Sequence, residues 1–284
     1  SIESGGNYNV AVGDEAGTAI TTGDSITAVG YAALAAFSTG NAVTGIGHRA
    51  LNANTTGNAN TAVGFDAGLL IDTGTHNVMI GCQAGDATTT GVGNTFIGTE
   101  SGSANSTASS NTAVGYQSLD ANTTGTSLVA IGQAALGANN TGSYNVAVGH
   151  QAGMTQTTAA NNTLIGHAAG AYIQTGNSNT IVGYTAGDAM TTAAQNVAIG
   201  AGALGALTTT SGNIAIGYNA LDAGVDGVQN CIGIGSAALG ALTASGGTTG
   251  TGPSIGIGYN ALAGATSVTY THLRAHETVL DLVC

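Results

Sequence analysis

Hydrophobic and polar positions recur along this chain at a fixed spacing. The Gly of each Val-Gly or Ile-Gly pair serves as a marker. It falls at Gly13, Gly30, Gly47, Gly64, Gly81, Gly98, Gly115, Gly132, Gly149, Gly166, Gly183, Gly200 and Gly217, every step being 17 residues. Two looser copies follow at Gly235 and Gly258, after steps of 18 and 23 residues. A fixed period of this length is the mark of a stacked architecture in which each repeat contacts its neighbours.

Aligned columns turn the repeat into geometry. The residue before the marker is always Val or Ile, and two positions earlier stands Val, Ile or Thr, as in Val10, Thr27, Thr112 and Ile255. β-branched residues two apart place both side chains on one face of a strand. Between them the residue is usually Ala or Gly, while Met79, Phe96, Leu164 and Ile181 show that the opposite face accepts bulk in places. Three residues after the marker comes Ala, replaced only by Ser101 and Ser118, and then Gly or Leu in irregular alternation. A Thr- and Gly-rich turn such as "NTTG" at 54–57 and 122–125 closes the unit.

A 17-residue unit is too short for a helix pair, and its pattern has no helical period. The expected fold is all-β, a parallel β-solenoid of about 15 coils with each strand pairing one coil away. At a strand spacing of about 4.8 Å, the array forms a rod roughly 70 Å long.

Stacking also assigns the polar columns. Asn stands four before the marker in Asn9, Asn60, Asn77, Asn94, Asn111, Asn145, Asn162, Asn179, Asn196 and Asn213. Such a column is expected to run amide hydrogen bonds along the rod, as stacked Asn does in cross-β assemblies. Thr stands eight before the marker from Thr22 to Thr209, and the following Gly (Gly23, Gly40, Gly57, Gly125) is expected to supply a positive φ at a turn.

Composition agrees with a slender core. The chain has 284 residues, 48 of them Gly, with one Pro, no Trp, 43% hydrophobic and 6% charged residues. The apolar residues are mainly Ala, Val and Ile, which pack closely approaching backbones. The net charge is −12, with Arg49 and Arg274 the only basic residues. Nucleic-acid binding needs clustered Lys and Arg, so that class is excluded. No segment approaches the roughly 20 apolar residues of a membrane span, so no membrane insertion is expected.

The core "N-[TV]-A-[VI]-G-x-x-A", clearest in "NVAVGDEAG" at 9–17, "NVAVGHQAG" at 145–153 and "NVAIGAGAL" at 196–204, resembles the head repeat of trimeric autotransporter adhesins of the YadA type. The longer form "NTAVGYQSL…NTTG" is similar to repeats of phage tail-fibre and bacterial surface proteins. The resemblance covers residues 5–265. It implies a left-handed β-roll type of solenoid, a trimer, and attachment to host-surface or matrix glycans from an extracellular, cell-surface or virion-tail location.

Organisation follows the repeat. Residues 1–4 form an N-terminal edge, residues 5–265 the array (regular to about 225, looser over 226–265), and residues 266–284 a tail without repeats. "YTHLRAHETVLDLVC" at 270–284 resembles a translated sequencing adaptor, so the tail is expected to be an artefact.

Candidate chemistry is sparse, and no cofactor is expected. Cys82 and Cys231 lie about nine coils apart, roughly 43 Å at strand spacing, too far for a disulfide. Asp86, Asp120, Asp188 and Asp222 share a column but skip coils. No nucleophile elbow or metal-binding Cys spacing is present, so neither catalytic nor metal residues are assigned. His150 and His167 stack in consecutive coils, where two imidazoles could hold a metal, but without a carboxylate beside them in the column the favoured reading is surface residues.

The column just after the marker carries Tyr31, His48, Phe65, Tyr116, His150, His167, Tyr184, Tyr218 and Tyr259, with varied residues between. It is the candidate stripe for packing against another chain or for contacting glycans. The function expected is a non-enzymatic extracellular structural or adhesive fibre shaft. A self-assembling filament subunit is the alternative. An ice-binding solenoid is disfavoured, because neighbouring Thr residues stand one apart rather than two.

Overall fold

The computed structural model describes residues 6–222, 228–242 and 253–264. The tail and the N-terminal edge lie outside these, as does most of the insertion before Pro253. The described residues form one sheet of fifteen parallel strands in sequence order, from β1 (Val10–Val12) to β15 (Ile255–Ile257). Successive strands pair in register at the 17-residue period, as in Thr112↔Val129 and Val114↔Ile131. The architecture is thus an all-β parallel solenoid, and each coil contributes one strand of three or four residues.

The remainder of each coil is a stack of turns whose backbone also bonds along the rod. Besides the marker Gly, three positions per coil adopt positive φ. They stand two and four after the marker Gly and five before it, as in Gln117 (52°), Leu119 (55°) and Ser110 (61°). Non-Gly residues rarely adopt this region, and each such residue costs about 1–2 kcal/mol. The reversals aim the N–H groups along the axis. The Gln117 N–H donates to the Thr99 carbonyl one coil back (3.1 Å), whereas the Leu119 N–H donates to the Ala135 carbonyl one coil ahead (3.0 Å). Backbone polar groups in the turns therefore find partners, and the hydrogen bonds offset the dihedral cost.

The marker Gly is required twice over. Gly64 has φ 142°, and a Cβ there would lie 2.3 Å from the carbonyl oxygen of Gly81 in the next coil. The Thr-Gly turn differs from expectation. Gly23, Gly40, Gly57 and Gly125 are absent from the positive-φ residues. Close approach governs that column instead, since a Cβ on Gly57 would lie 2.2 Å from the Gly74 carbonyl oxygen. Ala108, Ala159 and Ala193 occupy the same column, so individual coils relax this constraint.

The core lies on the small-residue side of the strand. Ala28, Ala113, Ala130 and Ala147 point inward with Met79, Phe96, Leu164 and Ile181, all fully buried. They meet the Ala column three after the marker and the buried Leu residues of the next column (Leu34, Leu51, Leu119, Leu136, Leu204, Leu221). The β-branched pairs face outward.

The Asn column is buried and bridges coils. The Asn94 side chain donates from Nδ2 to the Ala108 carbonyl (2.9 Å), and its Oδ1 accepts the Asn111 N–H (3.1 Å). Side-chain to side-chain bonds also occur, as from Asn94 Nδ2 to Asn77 Oδ1 (3.1 Å) and from Asn196 Nδ2 to Asn179 Oδ1 (3.2 Å). Asn60, Asn145, Asn162 and Asn213 donate in the same way to carbonyls one coil ahead. Where Asn is missing, Ile26, Val43, Leu128 and Cys231 fill the buried column.

Candidate interaction surface

The outer face of the sheet is built from two residues per strand. The column before the marker is Val or Ile throughout, and Ile46, Ile80, Ile97, Ile131, Ile165 and Ile199 are each 36–39% exposed. Beside it runs the column two earlier, with half-buried Thr44, Thr61, Thr95 and Thr112 among Val and Ile. Neither column holds a charged residue in any coil, although the chain carries a net −12. A continuous neutral, β-branched strip on an acidic rod is unusual for a surface that meets only water.

The aromatic stripe borders this strip, because its residues follow the marker directly. Tyr31, Phe65, Tyr116, Tyr184, Tyr218 and Tyr259 are exposed, as are His48, His150 and His167. Two runs form ring stacks. Tyr31, His48 and Phe65 have centroid separations of 5.2 and 5.0 Å, and His150, His167 and Tyr184 of 5.0 and 5.2 Å. The separation follows the strand spacing, so ring faces within a run turn towards one another. A sugar stacks on a free ring face, and these runs offer such faces mainly at their ends.

Charge is concentrated at one point of the stripe. Arg49 bonds Asp66 through Nε (2.9 Å to Oδ1) and through Nη2 to Oδ2, and the Asp66 side chain is only 5% exposed. The His48 Nδ1 lies 3.5 Å from Asp66 Oδ1, and the Arg49 guanidinium sits 6.0 Å from the Phe65 ring centre. The hydrogen bond to Asp66 raises the Arg49 pKa.

The aspartate column stays divided. Ser103 stands between Asp86 and Asp120 and hydrogen-bonds the latter, while Gly205 stands between Asp188 and Asp222. Burial raises the pKa of Asp86, Asp188 and Asp222 above the ordinary carboxylate value. Asp86 and Asp120 share a shallow groove with Gln83, Glu100, Ser103 and Ala104. Both described cysteines are free, Cys82 exposed and Cys231 buried. Among the described residues no three His, Cys, Asp or Glu side chains converge as metal ligands, and no helix is long and apolar enough to cross a membrane.

One internal feature escaped the sequence reading. Seven residues after the marker, the buried column changes from Ile71 to Thr88, Asn105, Asn122, Asn139 and Gln156 before returning to Ile173. Asn122 donates to Asn105 (3.1 Å) and Asn139 to Asn122 (3.0 Å), forming a second amide ladder inside the rod. The signal was present as an Asn run at the 17-residue period, with Asn54 as an outlying member, hidden because Ile20, Phe37, Ile71 and Ile173 share the column.

Comparison with known proteins gives no matching family model and no matching curated relative.

Proposed function

We propose that the protein is a non-enzymatic structural or adhesive fibre shaft acting outside the cell, with several copies packed side by side. The observation that carries this reading is the uncharged Val/Ile/Thr strip running along all fifteen strands of the sheet. A strip about 70 Å long and about 10 Å wide offers roughly 700 Å² per copy, close to the ~800 Å² per partner of a stable interface. Pairing strips removes them from water, whereas the acidic remainder keeps bundles from merging further. The thirteen regular coils throw out no loops, so the rod supplies length and stiffness rather than an enclosed cleft for a substrate. Any adhesive contact would repeat along the rod and gain by avidity, with surface or matrix glycans as the partner class the repeat resemblance implies.

The test is analytical ultracentrifugation of the wild type against I97E/I131E. The reading expects a discrete oligomer of a few copies for the wild type and monomeric rods for the variant, whose new carboxylates lie mid-strip. Identical sedimentation of the two overturns it. Open-ended filaments in both would favour the alternative, a subunit joined end to end through its terminal coils.

A further inference from the structure

The geometry points to a binding site for a divalent transition-metal ion formed by His150 and His167. The two residues follow β9 (Val146–Val148) and β10 (Thr163–Ile165), which pair in register through Val148↔Ile165. The imidazoles therefore hang from adjacent rungs of one ladder. Their ring centres lie 5.0 Å apart at 21°, and both side chains are exposed.

The backbone beneath them is fixed. The Gly166 N–H donates to the Val148 carbonyl (2.8 Å), and the Ala168 N–H donates to the His150 carbonyl (2.9 Å). Ligand capture then needs only side-chain rotation. Two nitrogens bound cis to one ion at 2.0–2.1 Å stand roughly 3 Å apart. Rings with centres about 5 Å apart reach that arrangement by turning their nitrogen edges together.

No ion pair with a carboxylate holds either ring among those the structure shows, so neither imidazole must give up an acidic partner to bind. His48 provides the contrast. It lies between Tyr31 and Phe65, with Asp66 beside its Nδ1, and has no second imidazole. Imidazole suits copper, nickel and zinc, whereas calcium and magnesium want oxygen donors that this pair lacks. With no third His, Cys, Asp or Glu converging among the described residues, water completes the coordination. The ion stays exchangeable and open to a further donor from outside.

The test is calorimetric titration of copper(II) chloride into the full chain, followed by electron paramagnetic resonance to count bound nitrogens. A background of H272N/H276N removes the other closely spaced His pair in the sequence. The expected result is one ion held by two imidazole nitrogens. H150Q or H167Q should weaken binding roughly tenfold or more by removing the chelate. Gln is already at home in this column at Gln133, so these variants preserve the coil. H48Q should leave the affinity unchanged. Unaltered binding in H150Q and H167Q overturns the site, as does an equal loss in H48Q.

Discussion

Phe96 and Gly102 share one volume: a Cβ placed on Gly102 would lie 2.8 Å from Cδ1, Cδ2 and Cε1 of the Phe96 ring. The same exchange explains the irregular Gly/Leu column. Wherever Leu stands four after the marker, the strand residue facing the core is Ala or Gly, as with Leu119 and Ala113. Where the strand residue is large (Met79, Phe96, Leu164, Ile181), the column holds Gly85, Gly102, Gly170 and Gly187. Gly153 faces a small strand residue, Ala147, but its space is taken by Leu164 and Leu136 from the adjoining coils.

Core volume is thus shared within a coil or, as at Gly68 and Gly153, with its neighbours, and exchange between Phe96 and Gly102 should be tolerated where single changes are not. G102L should overpack the core and cost about 1–3 kcal/mol. F96A should leave a cavity and cost about 3–5 kcal/mol. The double variant F96A/G102L recreates the Ala/Leu pairing of neighbouring coils and should recover most of both losses. Denaturant melts of the four proteins measure the coupling; strictly additive losses would show that the two side chains do not trade volume.

The Asn ladder should fail locally. N94L matches the Leu already buried at Leu128 in size and place. It nevertheless strips the Asn111 N–H of its acceptor and leaves the Ala108 carbonyl with only the longer bond (3.3 Å) from Asn105 Nδ2. Leaving buried polar groups unpaired costs about 1–3 kcal/mol each. Because coils couple only to neighbours, hydrogen exchange should accelerate at the Asn111 amide and stay unchanged around Asn196.

Much of this was legible in the chain. Period, strand position and the buried Asn column follow from composition by column, since only stacking makes a 17-residue register useful. The orientation of the strand was less plain. β-branched residues suggest a buried face, yet here the strand position between them faces the core, where a small Ala or Gly leaves room for the buried Leu of the turn, as Ala113 does for Leu119. Positive φ at Gln117, Leu119 and Ser110 was invisible, because ordinary residues stand where a turn rule expects Gly. At Gly57 that rule misled, because the missing Cβ serves a close approach and not a dihedral.

Acid should strengthen part of the rod. Burial raises the carboxyl pKa of Asp188 and Asp222 in the folded state, so there the protons bind at a pH where the unfolded chain has lost them. Stability from these groups therefore falls as pH rises through the window just above the ordinary carboxylate value. D188N and D222N should melt at higher temperature than the wild type at neutral pH, and the difference should shrink on acidification through that window. A difference that grows on acidification would show that the folded coil favours the charged carboxylate.

The arrangement of the outer strip decides the central claim, and electron cryo-microscopy of the assembled protein reads it directly. The account predicts discrete rods in cross-section, each sheet turned so that Ile97, Ile131 and Ile165 meet the same residues of adjoining copies, with the acidic turns outside. Single rods whose Val and Ile columns face solvent along their whole length would contradict it.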